Sequence, residues 1–430
     1  MSGMSIMFLT MFVLLVIGVP IGVSLAVGML ALIAVNPIMP MEFVAQSLYT
    51  GIASYTLIAI PFFMMSGSIM EVGGLSKRLV KAANSLVGNV TGNLGLVTIL
   101  ACMFFGAVSG SAMATVAAIG GIMLPEMARA GYNKVYATAL TAVAGSLGII
   151  VPPSSPMVVF GVTNNVSIGA LFMGGFGPAI VVGLLLMVIN YLYCKKHGYQ
   201  GNGAKVTLRS VFLAFKDAIW ALLMPLIILG GIYSGVFTPT EAAVIACTYG
   251  IFVGKFVYKE FTFKALWDIL KSNVSFLGGL FFTFAPIGAM GALFAYLKVP
   301  TMVTEFFLSI TDSANLIFLM IFGLMIIVGM LMQSTPAILL FSPILMEVAT
   351  TVGINEVHFG VFMVVALALG FVTPPVAMNL FVAQTMTGIN IVHITRKAWP
   401  FIIALIVATL IIMYVPQITL LPLQLLGIAY

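Results

Sequence analysis

The chain has 430 residues, of which 62% are hydrophobic and only 7% charged, with a formal net charge of +6 and a mean hydropathy of +1.22. A soluble domain is about 25% charged and roughly half apolar, so a water-soluble fold of this chain would expose most of its apolar side chains. The composition specifies an all-α polytopic membrane protein; solid apolar runs such as 224–233 and 401–414 exclude a transmembrane β-barrel, whose strands alternate.

The composition excludes several functions as well. Cys102, Cys194 and Cys247 fall in apolar runs or at a basic span end, and His197, His358 and His393 fall at span edges. Neither set has the spacing of a disulfide framework or a metal site. No phosphate-binding G-x-x-x-x-G-K-[ST] loop is present. The basic residues sit in short clusters between apolar runs, the pattern of a membrane protein and not of a nucleic-acid binder. The N-terminus is apolar from Ile6, without a basic region or a small-residue cleavage site, so no removed signal peptide is expected.

In chain order, the first half reads as crossings near 4–18, 21–35 and 48–71. An apolar stretch over 94–127 follows, interrupted by Gly106-Ala-Val-Ser-Gly-Ser111. Next come a helix over 134–166, broken at Pro152-Pro153-Ser-Ser-Pro156, and a crossing near 169–193. A basic linker covers 196–216. The second half reads as crossings near 217–236, 240–258 and 272–296, then an apolar stretch over 316–348 interrupted at Gly329-Met-Leu-Met-Gln-Ser-Thr-Pro336. A helix over 356–386 broken at Thr373-Pro374-Pro375 and a crossing near 398–415 complete it.

The halves match each other. Pro153 and Pro375 stand 222 residues apart, and the same offset pairs Gly131 with Gly353, Asn133 with Asn355, Thr163 with Thr385 and Pro178 with Pro400. Farther upstream Pro20 pairs with Pro239, three residues out of register. Breaker residues rarely coincide in order by chance, so the chain is read as two repeats, 1–195 and 217–430. Five crossings per repeat turn the second copy upside down.

Charge supports the inversion. With the linker residues Lys195, Lys196, Lys205, Arg209 and Lys216 cytoplasmic, alternation also places Lys77-Arg78-Lys81, Arg129/Lys134, Lys255/Lys259/Lys264/Lys271 and Arg396-Lys397 inside. Only Lys298 falls outside, and both termini are expected to be periplasmic or extracellular. At 94–127 and 316–348 each interrupted stretch is long for one crossing, so each is expected to be a re-entrant helical hairpin, the first entering from the cytoplasm and the second from outside. The proline breaks leave carbonyls unpaired at membrane depth, which is tolerable only where the backbone is buried or lines a cavity. Paired interruptions in corresponding halves point to a transporter's binding site.

The polar residues in these segments are neutral. Glu126 and Glu347 lie at hairpin ends, Glu71 closes a span, and Glu241 stands in the first turn after Pro239, where a carboxylate caps its own helix. With no central titratable group, proton coupling is not expected. The oxygens of Ser109, Ser111, Ser146, Ser154, Ser155, Ser334, Thr335 and Thr373, with the freed carbonyls, suit a small hard cation, and sodium is the expected coupling ion. Taken alone, Ser109-Gly110-Ser111 would read as a packing notch; the repeat-related cluster and the facing proline break turn it into a site. Gly106-x-x-Ser109-Gly110 faintly suggests a membrane serine hydrolase, but no His lies at membrane depth to activate the serine, so no enzyme is expected. A channel or pore-forming subunit, the alternative, would stripe polar residues along several spans, and here they cluster at two tips and two breaks.

Ile60-Pro61-Phe62-Phe63, Gly73-Gly74-Leu75-Ser76-Lys77-Arg78, Met103-Phe104-Phe105-Gly106 with Ser109-Gly110-Ser111-Ala112, Ile150 to Met157, Phe237-Thr238-Pro239-Thr240-Glu241-Ala242 and Val372-Thr373-Pro374-Pro375 occur in order along the chain. Together they resemble the large membrane subunit of tripartite ATP-independent periplasmic (TRAP) transporters, nearly end to end. The resemblance implies an inverted-repeat, elevator-type secondary transporter of the bacterial inner membrane. It implies sodium-driven uptake of an organic acid such as sialic acid or a C4-dicarboxylate, with no cofactor beyond the coupling ions. The implied partners are a small four-helix membrane subunit and a periplasmic substrate-binding protein. By position, one sodium site is implied at Ser109, Gly110 and Ser111 with Gly148, Val151 and Pro152. The second is implied at Met332, Gln333 and Thr335 with Gly370, Thr373 and Pro374, and substrate contacts at Thr115, Ser154, Ser155, Ser334 and Asn379. The chain departs from the family pattern at Thr115 and Gln333, where many relatives carry an acid, and at Ala366, where many carry Asn. The wording of 114–120 is similar to the sialic-acid branch.

Overall fold

The computed structural model describes residues 3–37, 39–201 and 206–428. Lys205 of the central linker lies outside the described residues. All regular elements among the described residues are helical. Nine helical segments among the described residues are long and apolar enough to cross a membrane, so the protein is a multi-pass membrane protein of the expected all-α class.

The elements recur at the offset seen in the sequence. One hairpin consists of Asn93–Ser109 and Ala112–Arg129, the other of Ala314–Leu331 and Ser334–Thr351. The first interrupted helix runs Lys134–Ala144, Leu147–Ile150 and Ser155–Asn164, and the second Glu356–Gly370 and Met378–Thr387. Both start from the same local chemistry. Gly131 and Gly353 each take φ +82, a conformation that glycine adopts without steric cost. Two residues on, Asn133 accepts from the Tyr136 N–H at 3.1 Å and Asn355 from the Val357 N–H at 2.9 Å, capping the new helix. Pro152-Pro153 and Pro374-Pro375 are both cis.

Burial sorts the layers. The best apolar window of 134–164 is 94% buried, whereas that of Leu208–Tyr233 is 22% buried. The interrupted helices form the centre, and the peripheral helices turn apolar faces outward to lipid. His358 sits in that centre, its ring between the Thr419 hydroxyl (3.3 Å) and the Met413 carbonyl (3.2 Å), and ties the second interrupted helix to the C-terminal segment.

Several elements differ from the sequence reading. The span near 48–71 is divided into Met41–Thr50, a 3-10 turn Tyr55–Ile58 and Ala59–Val72. It breaks beside Gly51, which packs on Gly288 so closely that a Cβ there would stand 3.0 Å from the Gly288 Cα. The first helix of the second half starts at Leu208, upstream of 217, because Thr207 and Ser210 form a reciprocal cap. Three short helices were not foreseen: Leu75–Val87, Val299–Ile310 and Gln417–Leu425. Leu75–Val87 buries Leu75, Leu79, Ala82 and Ala83 and carries the basic cluster on its other face. Arg78 reaches across to the second half: its guanidinium lies 3.6 Å over the Tyr258 ring and pairs with Glu260 (3.3 Å) and Asp217 (3.6 Å). Glu241 caps its own helix, accepting from the Thr238 N–H at 2.8 Å.

Candidate functional site

Each hairpin reverses through a short polar tip. In the first, Gly110 takes φ +58 and closes the helix by donating its N–H to the Gly106 carbonyl at 3.0 Å; Ser111 is extended and caps the next helix. Three oxygens gather behind this turn. The Thr115 hydroxyl donates to the Ser111 carbonyl at 2.7 Å and lies 3.1 Å from the Ser109 hydroxyl, which stands 3.4 Å from the Ser111 carbonyl. Ser109 and Thr115 are fully buried.

The first break lies directly against this tip. The Ser155 N–H donates to the Gly110 carbonyl at 3.4 Å. A Cβ at Gly110 would stand 2.9 Å from the Pro153 carbonyl oxygen, and one at Gly148 would stand 2.5 Å from the Ser111 carbonyl oxygen. Below it, Gly106 and Gly148 let the hairpin arm and the interrupted helix touch backbone to backbone, a Cβ at Gly106 falling 3.0 Å from the Gly148 Cα. Small residues are the means by which membrane helices approach this closely. Val151 is buried with its N–H bonded to Leu147, and Pro152 packs toward Gly175 of Ile168–His197.

The second tip is built alike. Gln333 precedes the helix Ser334–Thr351 without a side-chain capping bond. Gly329 faces Gly370, and the Val376 N–H of the break donates to the Met330 carbonyl at 3.2 Å. The Thr373 hydroxyl donates to its own helix at Leu369, 2.7 Å away. This break is more open than the first: Pro375 is exposed and Thr373 and Pro374 are half-buried, whereas residues 151–156 are all buried.

One cavity joins the two tips. Gly110, Ser111, Ile149 and Ser155 line it from the first half, and Gln333, Ser334, Thr335 and Phe371 from the second, with no charged side chain among its lining residues. The N-termini of the hairpin helices that begin at Ala112 and Ser334 face it. The buried Ser155 hydroxyl has no hydrogen-bond partner. A second cavity, on the far side of the second tip, is lined by Met332, Gln333, Val376 and Met378 with Ser275 and Thr283.

The residues singled out from sequence are therefore placed unequally. Ser111, Ser155, Ser334, Thr335, Gln333 and Gly110 line the shared cavity. Ser109 and Thr115 lie behind the first tip, and Ser154 donates its hydroxyl to the Ile149 carbonyl at 2.5 Å. Asn379 is fully buried, donating to the Ala142 carbonyl at 3.0 Å and to the Ser146 hydroxyl at 3.3 Å, so it joins the two interrupted helices. Its Oδ1 is buried without a partner. Gly148 and Gly370 were expected at the ion sites, but their direct contacts with Gly106 and Gly329, and the cavity walls Met64, Leu280 and Phe371, were not foreseen. The glycines carried a signal, each lying three residues from a polar tip or in a break.

Over residues 8–418 the chain matches the family described as tripartite ATP-independent periplasmic transporter, DctM component. It is similar to the isethionate TRAP transporter permease protein of Oleidesulfovibrio alaskensis, 41% identical over 94% of this chain, and spans 64% of that longer relative. It is 38% identical to the sialic acid TRAP transporter large permease protein of Vibrio cholerae, over 95% of each chain. It is 34% identical to the C4-dicarboxylate TRAP transporter large permease protein of Rhodobacter capsulatus, over 98% of this chain and 99% of that one. Among solved structures, the YdaH transporter of Alcanivorax borkumensis has a similar fold, with a TM-score of 0.63 at 13% identity over 87% of this chain and 88% of that one. These relatives are transport permeases, and the chain belongs to the DctM-component family of tripartite ATP-independent periplasmic transporters.

Proposed function

We propose that this chain is the large membrane permease of a sodium-coupled, binding-protein-dependent uptake system for an organic acid. Residues 1–195 and 217–430 act as its inverted repeats about the 196–216 linker. The observation that carries the reading is the convergence of both hairpin tips on one uncharged cavity. An organic anion entering a site without cationic side chains must be balanced, because a lone charge at membrane depth is costly. Co-bound cations supply that balance, and the helix N-termini at both tips favour the substrate's carboxylate. Ser109, Ser111 and Thr115 already gather three oxygens of the kind a hard cation prefers. In this reading Ser109, Gly110 and Ser111 hold one sodium against the 148–152 break, and Met332, Gln333 and Thr335 hold another against Gly370, Thr373 and Pro374. Ser155 and Ser334, on the cavity wall, contact substrate.

Movement follows an elevator scheme: the hairpins and interrupted helices slide as a unit against the peripheral helices. A small four-helix membrane subunit completes the peripheral part. Two relatives support a separate subunit, because this chain covers only 64% and 68% of them, leaving room for a fused segment there. A periplasmic protein delivers the substrate, and the chain lies in the bacterial inner membrane with both termini periplasmic. Relatives named for isethionate, sialic acid and C4-dicarboxylates support an organic-acid substrate, which in this reading is of the sialic-acid or C4-dicarboxylate kind.

Sodium dependence of the tip variants tests the reading. Ser109→Ala and Ser111→Ala remove one oxygen each at nearly constant volume, and loss of a hydrogen bond between membrane helices costs only about 0.6 kcal/mol, up to roughly 1.7. Both are expected to fold and to need several-fold more sodium for half-maximal uptake, with a parallel effect in Thr335→Ala. Ser68→Ala, whose hydroxyl bonds only to Met64 of its own helix, serves as control. Tip variants that reach the membrane with wild-type sodium dependence would identify these residues as packing groups.

A further inference from the structure

We propose that an acyl chain of a bilayer phospholipid occupies the apolar cavity between the N-terminal helices and the second hairpin, with Lys298 holding the lipid's phosphate. The cavity is remote from the hairpin tips. Its walls come from Gly3–Val16 (Phe8), Ile21–Val35 (Leu25), Phe263–Tyr296 (Phe294), Val299–Ile310 (Val303) and both hairpin arms (Leu324, Ile344). All its lining residues are apolar, and no polar atom reaches it.

Three observations select the occupant. First, water has no partner in such a cavity, and the liquid outside this part of the chain is hydrocarbon: Phe8, one of the walls, is 44% exposed. Second, the cavity measures about 180 Å³, well below the roughly 500 Å³ that one turn of an α-helix 10–12 Å across fills. A partner helix several turns long cannot enter, but an unbranched hydrocarbon chain can. Third, a cation stands beside it. Lys298 is exposed, ends the long helix Phe263–Tyr296 in a left-handed turn (φ +53) and immediately precedes Val299 of the cavity wall. It forms no ion pair among the described residues; the nearby Glu347 is occupied by the Thr301 hydroxyl at 3.0 Å. In the charge alternation it is the single basic residue on its side of the membrane, so nothing else there competes for an anionic headgroup. An ammonium beside an apolar slot matches a phosphate joined to an acyl chain. The lipid would then lie between the peripheral helices and a hairpin, where packed protein surfaces would otherwise have to slide on one another.

The test places the full-length chain in nanodiscs of phosphatidylethanolamine and phosphatidylglycerol, with a trace of phosphatidylglycerol carrying a diazirine at the end of one acyl chain. After irradiation, cross-linked peptides are mapped by mass spectrometry. Cross-links are expected to concentrate on the segments 290–294 and 340–345. Val303→Phe, which fills the cavity from a half-buried position, should lower them at least fivefold. Lys298→Gln, a surface change that leaves packing intact, should lower them severalfold. Ile403→Phe, on an exposed lipid-facing position, should change nothing. Cross-links spread evenly over the lipid-facing helices, or wild-type labelling of the two segments in Val303→Phe, would overturn the site. Wild-type labelling in Lys298→Gln would overturn the headgroup assignment.

Discussion

Gly370→Ala should reduce uptake at least tenfold, while Gly323→Ala should leave it unchanged. Both glycines belong to the second half, and the difference lies in what a methyl group would meet. At Gly370 a Cβ falls on the Gly329 carbonyl group, a backbone contact that no side-chain rotation relieves. At Gly323, in the same hairpin arm as Gly329, a Cβ meets nothing within 4 Å. Overpacking typically costs about 1–3 kcal/mol. Here the strain separates the second tip from its break and lengthens the Val376–Met330 hydrogen bond that joins them. Gly148→Ala should behave likewise in the first half, where the methyl would press on the Ser111 carbonyl. Uptake per unit of membrane-inserted protein is the measurement. Wild-type uptake by Gly370→Ala would mean that the tip and the break need not touch.

Asn379→Leu should lower thermal stability by about 1–3 kcal/mol, the usual cost of leaving buried partners unsatisfied. The variant loses two donated bonds, to the Ala142 carbonyl and the Ser146 hydroxyl, which join the two interrupted helices in the most buried part of the protein. Asn379→Asp should be worse. A carboxylate donates nothing to the Ala142 carbonyl and adds a charge in a region of low dielectric. Thermal unfolding of the detergent-purified variants gives the order directly. An Asp variant as stable as the parent would show that a cation or a proton neutralises this position, which now carries an unpartnered amide oxygen.

The hairpins and broken helices were legible because their signals are residues of low redundancy. Doubled prolines, Gly-Asn starts and small polar clusters recur 222 residues apart, and the structure sets elements at that spacing. The short helices were not legible. Leu75–Val87 is rich in charge and its apolar residues recur at helical rather than membrane spacing, so a search for apolar runs passes over it. The division of 48–71 was hidden because it depends on Gly51 meeting Gly288, a contact between distant segments. Side-chain direction was the other missing quantity. The sequence placed Ser154 and Ser155 in the first break and the family resemblance implied a substrate contact at Asn379, but only the fold shows Ser155 on the cavity wall, Ser154 turned to Ile149 and Asn379 turned to Ala142. Gly148 and Gly370 were expected at the ion sites and Gly106 and Gly329 at the start of the polar interruptions, but that Gly106 meets Gly148 and Gly329 meets Gly370 backbone to backbone depends on the fold.

The most direct measurement uses proteoliposomes containing the chain with its small membrane subunit, supplied with its periplasmic binding protein and a labelled organic acid. Ion gradients are imposed one at a time. An inward sodium gradient with the pH gradient abolished is expected to drive uptake, and replacing sodium by potassium or choline is expected to stop it. Full uptake in sodium-free buffer, driven by a proton gradient alone, would contradict a cation site built from uncharged hairpin tips.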